Sequence, residues 1–479
     1  DAAYVLATSS AQKQELTDQW QKSLEDTITT ATDKKWITLA GNVDRKTHEA
    51  LEKLALPELA FEDYPARSYP EASMAAQVLG FVAKNSDGED TGYFGIEGEL
   101  DKELRGTTAI HTEQTDALGH VLLGTSPEDT FPANGRNVHL SLRRDVQHIL
   151  ESELARGMEK YAAKSGEIIV MEPQTGKVLG MAASPVYSPR FFYAFPQEWY
   201  KNTSLANAYE PGSTFKVLTI AAGIDAGVIT PETQCPLCDG PRSLDKYTIR
   251  TWNNQYNPNI TMMDALAKSD NTAMMYVADQ LGSKKFEEYL QKFGVGVATG
   301  IELHEDTATA FPEKWGPVEL ATRSFGQGIQ VNSVQLLSAV SAIANNGMLM
   351  RPSIIDKVVD PVSHTEIPIE PESERQVVSP ETAQKVAQMM EYAASKGEAQ
   401  WTASKTYPVA GKTGTSQIPE AGGYAADKTI ASFVGFTPVE NPRYVMLVKL
   451  VEPQSSLWSA ETAAPLWYNV ANKLQLLSW

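Results

Sequence analysis

Residues 209–216 read Tyr209-Glu210-Pro211-Gly212-Ser213-Thr214-Phe215-Lys216. Pro-Gly interrupts what precedes it, and the spacing that follows predicts a helix from about Ser213 to Asp225, stopped at Gly227. A serine opening a helix sits where unpaired N–H groups and the macrodipole favour a developing negative charge. Lys216 lies one turn on, so its amine shares a face with the Ser213 hydroxyl. A lysine stripped of water beside another cation gives up its proton readily and can serve the serine as a base. Ser-x-x-Lys is a cheap pattern, and its other copies at Ser10/Lys13 and Ser243/Lys246 are read as chance. The helix start is what sets Ser213 apart.

Working outward, Val138–Leu142 alternates like a strand and 144–163 reads as an amphipathic helix. Gly166–Met171 and Lys177–Ala182, joined by Gln174-Thr175-Gly176, read as a hairpin. Helices are expected at 262–280, 283–292, 333–345, 381–395 and 461–476, and strands at Val409–Thr415, Thr429–Thr437 and Arg443–Val451. Strands at both ends with helices between predict an antiparallel sheet assembled from distant pieces, flanked by helices: an α+β class. Upstream, 9–33 is polar and free of Gly and Pro, which reads as an exposed helix. Pro57, Pro65 and Pro70, then glycines from Gly80 to Gly106, punctuate short segments. Turn residues over 123–136 place the main boundary, giving domains 1–134 and 135–479.

Two more motifs fall in the larger domain. Ser269-Asp270-Asn271 interrupts the helical pattern from Thr261 to Asp279, where a hydroxyl and a carboxamide could face a cleft; taken alone, a helix cap or surface turn is the simpler reading. Lys412-Thr413-Gly414-Thr415 lies in a strand, where alternation puts Lys412 on one face and Thr413 and Thr415 on the other. Gly414 would let a ligand backbone approach, and a peptide could add along this edge with its carboxylate received by the Thr hydroxyls and the Lys412 amine. Backbone N–H groups of Thr415 and Ser213 could form an oxyanion hole.

The bulk numbers exclude other classes. With 479 residues, 42% hydrophobic and 21% charged, the chain has material for two or three globular domains. A formal net charge of −19, from 41 basic and 60 acidic residues, and no basic run argue against a nucleic-acid partner. No run of about 18 apolar residues is present to span a bilayer. The chain opens at Asp1, the pattern left when an upstream signal or anchor has been removed. Cys235-Pro-Leu-Cys238 is open to reading as a local disulfide, a redox pair or half a zinc site; no second Cys pair or His cluster completes zinc coordination.

The trio Ser-x-x-Lys, Ser-Asp-Asn and Lys-Thr-Gly, in that order at 213, 269 and 412, marks penicillin-binding proteins and class A β-lactamases. The chain resembles a class B penicillin-binding protein well beyond the trio. Residues 209–216, Gly326-Gln327-Gly328-Ile329-Gln330-Val331, Gln335-Leu336-Leu337, Ala344-Asn345-Asn346-Gly347 and Gly411–Thr415 are similar to that family's catalytic segments. Arg67-Ser68-Tyr69-Pro70, Gly95-Ile96-Glu97 and Leu104-Arg105-Gly106 are similar to its elongated non-catalytic pedestal. The likeness covers roughly residues 65–475.

That resemblance implies a peptidoglycan D,D-transpeptidase that cross-links stem peptides through a Ser213 acyl-enzyme, releases terminal D-Ala and is acylated by β-lactams. Ser213, Lys216, Ser269, Asn271 and Lys412 would be catalytic, and Thr413, Gly414 and Thr415 would bind substrate. No metal or organic cofactor is implied. A membrane anchor, an extracytoplasmic catalytic domain and a SEDS-family glycosyltransferase partner are. Asp270 departs from many class B members and leans toward β-lactamases. A D,D-carboxypeptidase, or a β-lactamase with Glu302, Glu305 or Glu313 activating water, is the alternative reading, and a non-enzymatic β-lactam sensor or scaffold a further one.

Overall fold

The computed structural model describes residues 10–31, 34–40, 43, 45–62, 66–107, 110–112, 128–130, 133–420 and 423–477. They fall into two compact units, residues 1–73 with 187–197 and residues 74–186 with 198–479. In the smaller unit, the polar N-terminal stretch forms the helix Ser10–Thr30, and a second helix spans Arg45–Glu52. Part of the expected linker, residues 123–127, 131 and 132, lies outside the described residues.

The larger unit is organised by one five-stranded sheet. Its strands are β1 (Ser165–Met171), β2 (Val178–Ser184), β3 (Ala410–Glu420), β4 (Gly423–Thr437) and β5 (Tyr444–Val451), in the order β3-β4-β5-β1-β2. Every pair is antiparallel, and β5 joins the two distant pieces by pairing Leu447 with Ile169 and Val448 with Ile168. The expected strand at Val138–Leu142 forms as Asn137–Leu140 but stands outside this sheet. It pairs with Ile355–Val359 in a separate three-stranded sheet.

The inner strands β1 and β5 are buried on both faces and read as near-continuous apolar runs, whereas β3 carries the polar Lys412–Thr415 motif. Ile168, Val170, Phe433, Met446 and Val448 pack with helices α1 (Arg144–Tyr161) and α7 (Ala463–Leu474), contributing to a core that includes Leu150 and Trp467. Ile169, Met171, Val434, Phe436, Val445 and Leu447 point the other way. They join a core built on α2 (Lys216–Asp225), α3 (Met262–Ala267), α4 (Asn271–Leu281), α5 (Ser333–Ala344) and α6 (Pro380–Lys396). Within it, Glu167 of β1 and Lys449 of β5 form a buried ion pair. Burial pushes the Glu167 carboxyl up, but Lys449 and the hydroxyls of Ser333 and Ser204 outweigh it and hold the group below its ordinary value. Paired and hydrogen-bonded, the buried charges are tolerated.

Two expectations change. The helix expected at 262–280 is two helices, α3 and α4, broken at Ser269, whose φ of 55° is left-handed and closed to a continuous helix. Asp270 then caps α4, its Oδ1 accepting from Thr272 N at 2.8 Å and Ala273 N at 3.1 Å. Second, the segment expected to begin a helix at Ser213 opens as a 3₁₀ turn, Gly212–Phe215, before α2. Tertiary contact holds that turn: Gly212 N donates to the Gly326 carbonyl at 3.1 Å, and Gly326 has φ 82°. A Cβ on Gly326 would stand 2.3 Å from the Gly212 carbonyl oxygen, so only glycine fits there.

Candidate active site

The three motifs, scattered over 200 residues of sequence, converge between α2, the α3–α4 break and β3. Ser213 is half-buried on its 3₁₀ turn, and its hydroxyl makes no hydrogen bond among the described residues. Lys216 opens α2 and is 0% exposed. Its Nζ donates to the Ser269 carbonyl at 2.6 Å and to Asn271 Oδ1 at 2.7 Å, and lies 3.2 Å from Ser269 Oγ. The break that disrupts the helix is thus what turns a carbonyl, a hydroxyl and a carboxamide onto one amine. Asn271 is held in place as its Nδ2 donates to the Arg250 carbonyl at 2.9 Å.

Lys412, 2% exposed on β3, approaches from the opposite side. Its Nζ reaches Ser269 Oγ at 3.1 Å, Thr413 O at 3.0 Å and Thr413 Oγ1 at 3.1 Å. Ser269 Oγ therefore bridges two buried lysines. Burial first, and then the Lys412 charge, push the Lys216 amine down to about 7; Glu398 and Asp270 oppose this. Burial also lowers Lys412, with Glu398 opposing. An amine poised near neutrality, one turn on from a serine whose hydroxyl makes no hydrogen bond among the described residues, is equipped for general-base work.

β3 departs from the expected division of labour. Thr413 is buried and its hydroxyl donates to Glu398 Oε2 at 2.6 Å, so that hydrogen is already engaged. The Lys412 side chain wraps round to Thr413 Oγ1, because a long flexible stem is not confined to its own face of the strand. The Thr415 hydroxyl donates to Ser459 Oγ at 2.9 Å and accepts from Ser459 N at 3.1 Å. A carboxylate arriving at Thr415 has to compete with Ser459. Gly414 admits a close neighbour, as expected, but that neighbour is the Ser213 segment itself. A Cβ there would stand 2.7 Å from Thr214 Cγ2 and 3.1 Å from the Pro211 carbonyl oxygen.

Other residues at the site carry no sequence signal. Glu398 lies after α6, at no spacing that relates it to Lys412. Trp252 and Trp458, 47% and 43% exposed, meet edge to face with ring centroids 5.2 Å apart. One is tied to the α3–α4 break through the Lys268 carbonyl, and the other neighbours Ser459 in sequence. Glu210, beside the Ser213 turn, accepts from Gly328 N and the Tyr424 hydroxyl, each at 3.0 Å, while burial raises its carboxyl.

The glutamates considered for water activation lie elsewhere. Glu302 binds Ser353 and Ile354 N, Glu305 accepts from the backbone of Gly95 and Asn202, and Glu313 is exposed. Cys235 and Cys238 form a buried disulfide. No group of three or more His, Cys, Asp or Glu among the described residues could hold a metal ion.

A serine on a helix-opening turn, with two buried lysines bridged by Ser269 at one edge of a helix-flanked antiparallel sheet, joins the three sequence motifs into one site. The chain belongs to the penicillin-binding protein transpeptidase domain family, whose model matches residues 166–472; the penicillin-binding protein dimerisation domain matches residues 2–140. It is 32% identical to stage V sporulation protein D of Bacillus subtilis over 84% of this chain, spanning 63% of that relative. It is 30% identical to peptidoglycan D,D-transpeptidase FtsI of Escherichia coli, over 90% of this chain and 71% of that protein. The crystal structure of penicillin-binding protein 3 of Mycobacterium tuberculosis complexed with aztreonam matches with a TM-score of 0.75 at 27% identity, over 85% of this chain and 89% of that one.

Proposed function

We propose that this protein is a peptidoglycan D,D-transpeptidase working through an acyl-enzyme on Ser213, and that β-lactams acylate the same serine. The observation that carries the reading is the Lys216 amine, buried, brought to about 7 and held at the foot of the Ser213 turn by Ser269 and Asn271. Ser213 Oγ adds to the penultimate D-Ala carbonyl carbon while Lys216 takes its proton. As the peptide C–N bond breaks, that proton passes to the leaving nitrogen, and Ser269, hydrogen-bonded to both lysines, is placed to relay it. Terminal D-Ala departs and an ester remains on Ser213. An amine from a second stem peptide then attacks the ester, its proton returns through Lys216 to Ser213 Oγ, and the cross-link is complete. Lys412 supplies positive charge for the substrate carboxylate, with Thr415 as the neighbouring hydroxyl. The backbone N–H groups of Ser213 and Thr415 are the proposed oxyanion donors.

The names of the relatives support this reading: E. coli FtsI is a peptidoglycan D,D-transpeptidase, and the same activity is the probable assignment of PenA of Neisseria meningitidis, 28% identical over 88% of this chain. The β-lactamase alternative is disfavoured by the positions of Glu302, Glu305 and Glu313. We assign residues 1–134 to a non-catalytic pedestal and 135–479 to the transpeptidase. We further propose an extracytoplasmic catalytic domain tethered at the membrane beside a SEDS-family glycosyltransferase. No helix of the described residues is long and apolar enough to cross a membrane, so the tether is sought outside them. The test is a thioester stem-peptide mimic offered with and without a D-amino-acid acceptor. Acceptor-dependent aminolysis is expected; release by water alone at an unchanged rate would replace the transpeptidase with a carboxypeptidase.

A further inference from the structure

The two lysines and Ser269 share their hydrogens in a way that constrains charge. Lys412 Nζ has three acceptors, Ser269 Oγ, Thr413 O and Thr413 Oγ1, which matches the three donors of an ammonium. Lys216 Nζ has two oxygens that can only accept, Ser269 O and Asn271 Oδ1, together with Ser269 Oγ. If both amines were charged, Ser269 Oγ would accept from both, two like charges would share one oxygen, and its own hydrogen would have no partner here. With one amine neutral, the Ser269 hydroxyl accepts from the ammonium and donates to the amine, and every group is satisfied.

Hydrogen counting does not by itself say which lysine is neutral. Glu398 does. It accepts the Thr413 hydroxyl hydrogen at 2.6 Å, which leaves Thr413 Oγ1 only lone pairs to offer Lys412 and places a carboxylate one hydroxyl away from that amine. The charged groups facing the pair are Glu398, from the segment after α6, and Asp270, from the α3–α4 break; Ser269, Asn271 and Thr413 are the neutral ones. Asp270 spends its Oδ1 on the Thr272 N–H, the Thr272 hydroxyl and the Ala273 N–H. We propose that Glu398, acting through the Thr413 hydroxyl, is the positioning residue that keeps the shared positive charge on Lys412 and so leaves Lys216 as the neutral base, an inference that rests on the reading of Lys216 as the base for Ser213. Glu398 opposes the effect of burial on Lys216 as well as on Lys412, so the preference for Lys412 comes from the Thr413 hydroxyl bridge, which Lys216 lacks.

The test compares the wild type with E398Q, which keeps an acceptor but loses the charge, and E398D, which keeps the charge. The second-order rate of acylation by benzylpenicillin is followed from pH 5 to 10, and the Nζ and Cε resonances of Lys216 and Lys412 are titrated by NMR, assigned with K216R and K412R. In E398Q the alkaline limb, set by Lys412, should move to lower pH by about one unit, the size expected for losing one nearby opposite charge, with the Lys412 resonance titrating correspondingly earlier and the Lys216 resonance reporting a larger protonated share between the limbs. E398D should keep both limbs near their wild-type positions. A residue that merely packs would lower the height of the profile and leave the limbs in place. If E398Q leaves both the limbs and the lysine resonances unmoved, the proposal is wrong. A wild type that forms no Ser213 adduct sinks the transpeptidase reading instead, and the lysine resonances then still decide where Glu398 holds the charge.

Discussion

Lowering the pH is the simplest perturbation of the base at this site, and its effect follows from the burial of Lys216. An amine with a pKa of about 7 is about nine-tenths neutral at pH 8 and about one-hundredth neutral at pH 5. If only the neutral amine accepts the Ser213 proton, acylation should fall about ninetyfold between those values, with a slope approaching tenfold per pH unit below about 6. The sign is fixed by chemistry: protonation occupies the lone pair that must receive the serine proton. The assay is rapid-quench intact-mass measurement of the benzylpenicillin adduct over a range of concentrations, giving the second-order constant at each pH. An ordinary lysine, near 10.4, would give a rate still climbing tenfold per unit through pH 9. Either that climb or a flat profile from pH 5 to 8 would refute Lys216 as the base described here.

Three further outcomes follow from named contacts. K216M removes a buried amine whose folded value of about 7 lies below the ordinary 10.5. Between those values the unfolded chain binds the extra proton, so this lysine makes wild-type stability rise with pH; the urea midpoint of K216M should exceed the wild type most at pH 7 and below, with the gap closing toward pH 10.5. G414A drives a Cβ to 2.7 Å from Thr214 Cγ2 and 2.6 Å from Ser432 Oγ. It should cost about 1–3 kcal/mol in thermal unfolding, and by displacing the Ser213 turn should slow acylation about a hundredfold. D270A leaves the α4 N-terminus uncapped, which should cost about 1 kcal/mol and weaken acylation through Ser269 and Asn271; unchanged acylation would mean the break does not depend on its cap.

Much of the fold was legible because period and punctuation are local properties. The strands near 166–182 and 409–451 and the helices flanking them stand close to where alternation, glycine and proline place them. The trio at 213, 269 and 412 could be read because each motif is contiguous in sequence. What escaped depends on long-range geometry. A left-handed φ at Ser269 cannot be seen in a polar triplet inside a helical pattern, yet it aims that residue's carbonyl and hydroxyl at Lys216. Strand alternation placed the Thr413 and Thr415 hydroxyls on one face but could not show Glu398 and Ser459 already holding them. Asp270, a departure from class B members by sequence, is accounted for locally as a helix cap. The strand at 138–142 was read as a strand, but its pairing with Ile355–Val359 was not legible, since periodicity names an element and not its partner.

The most direct measurement is intact-protein mass spectrometry after mixing with benzylpenicillin, followed over hours, with peptide mapping of the adduct and S213A alongside. A stable one-to-one adduct on Ser213, absent from S213A, is the predicted result. An adduct that persists in S213A, or one hydrolysed within seconds in the wild type, would contradict the account.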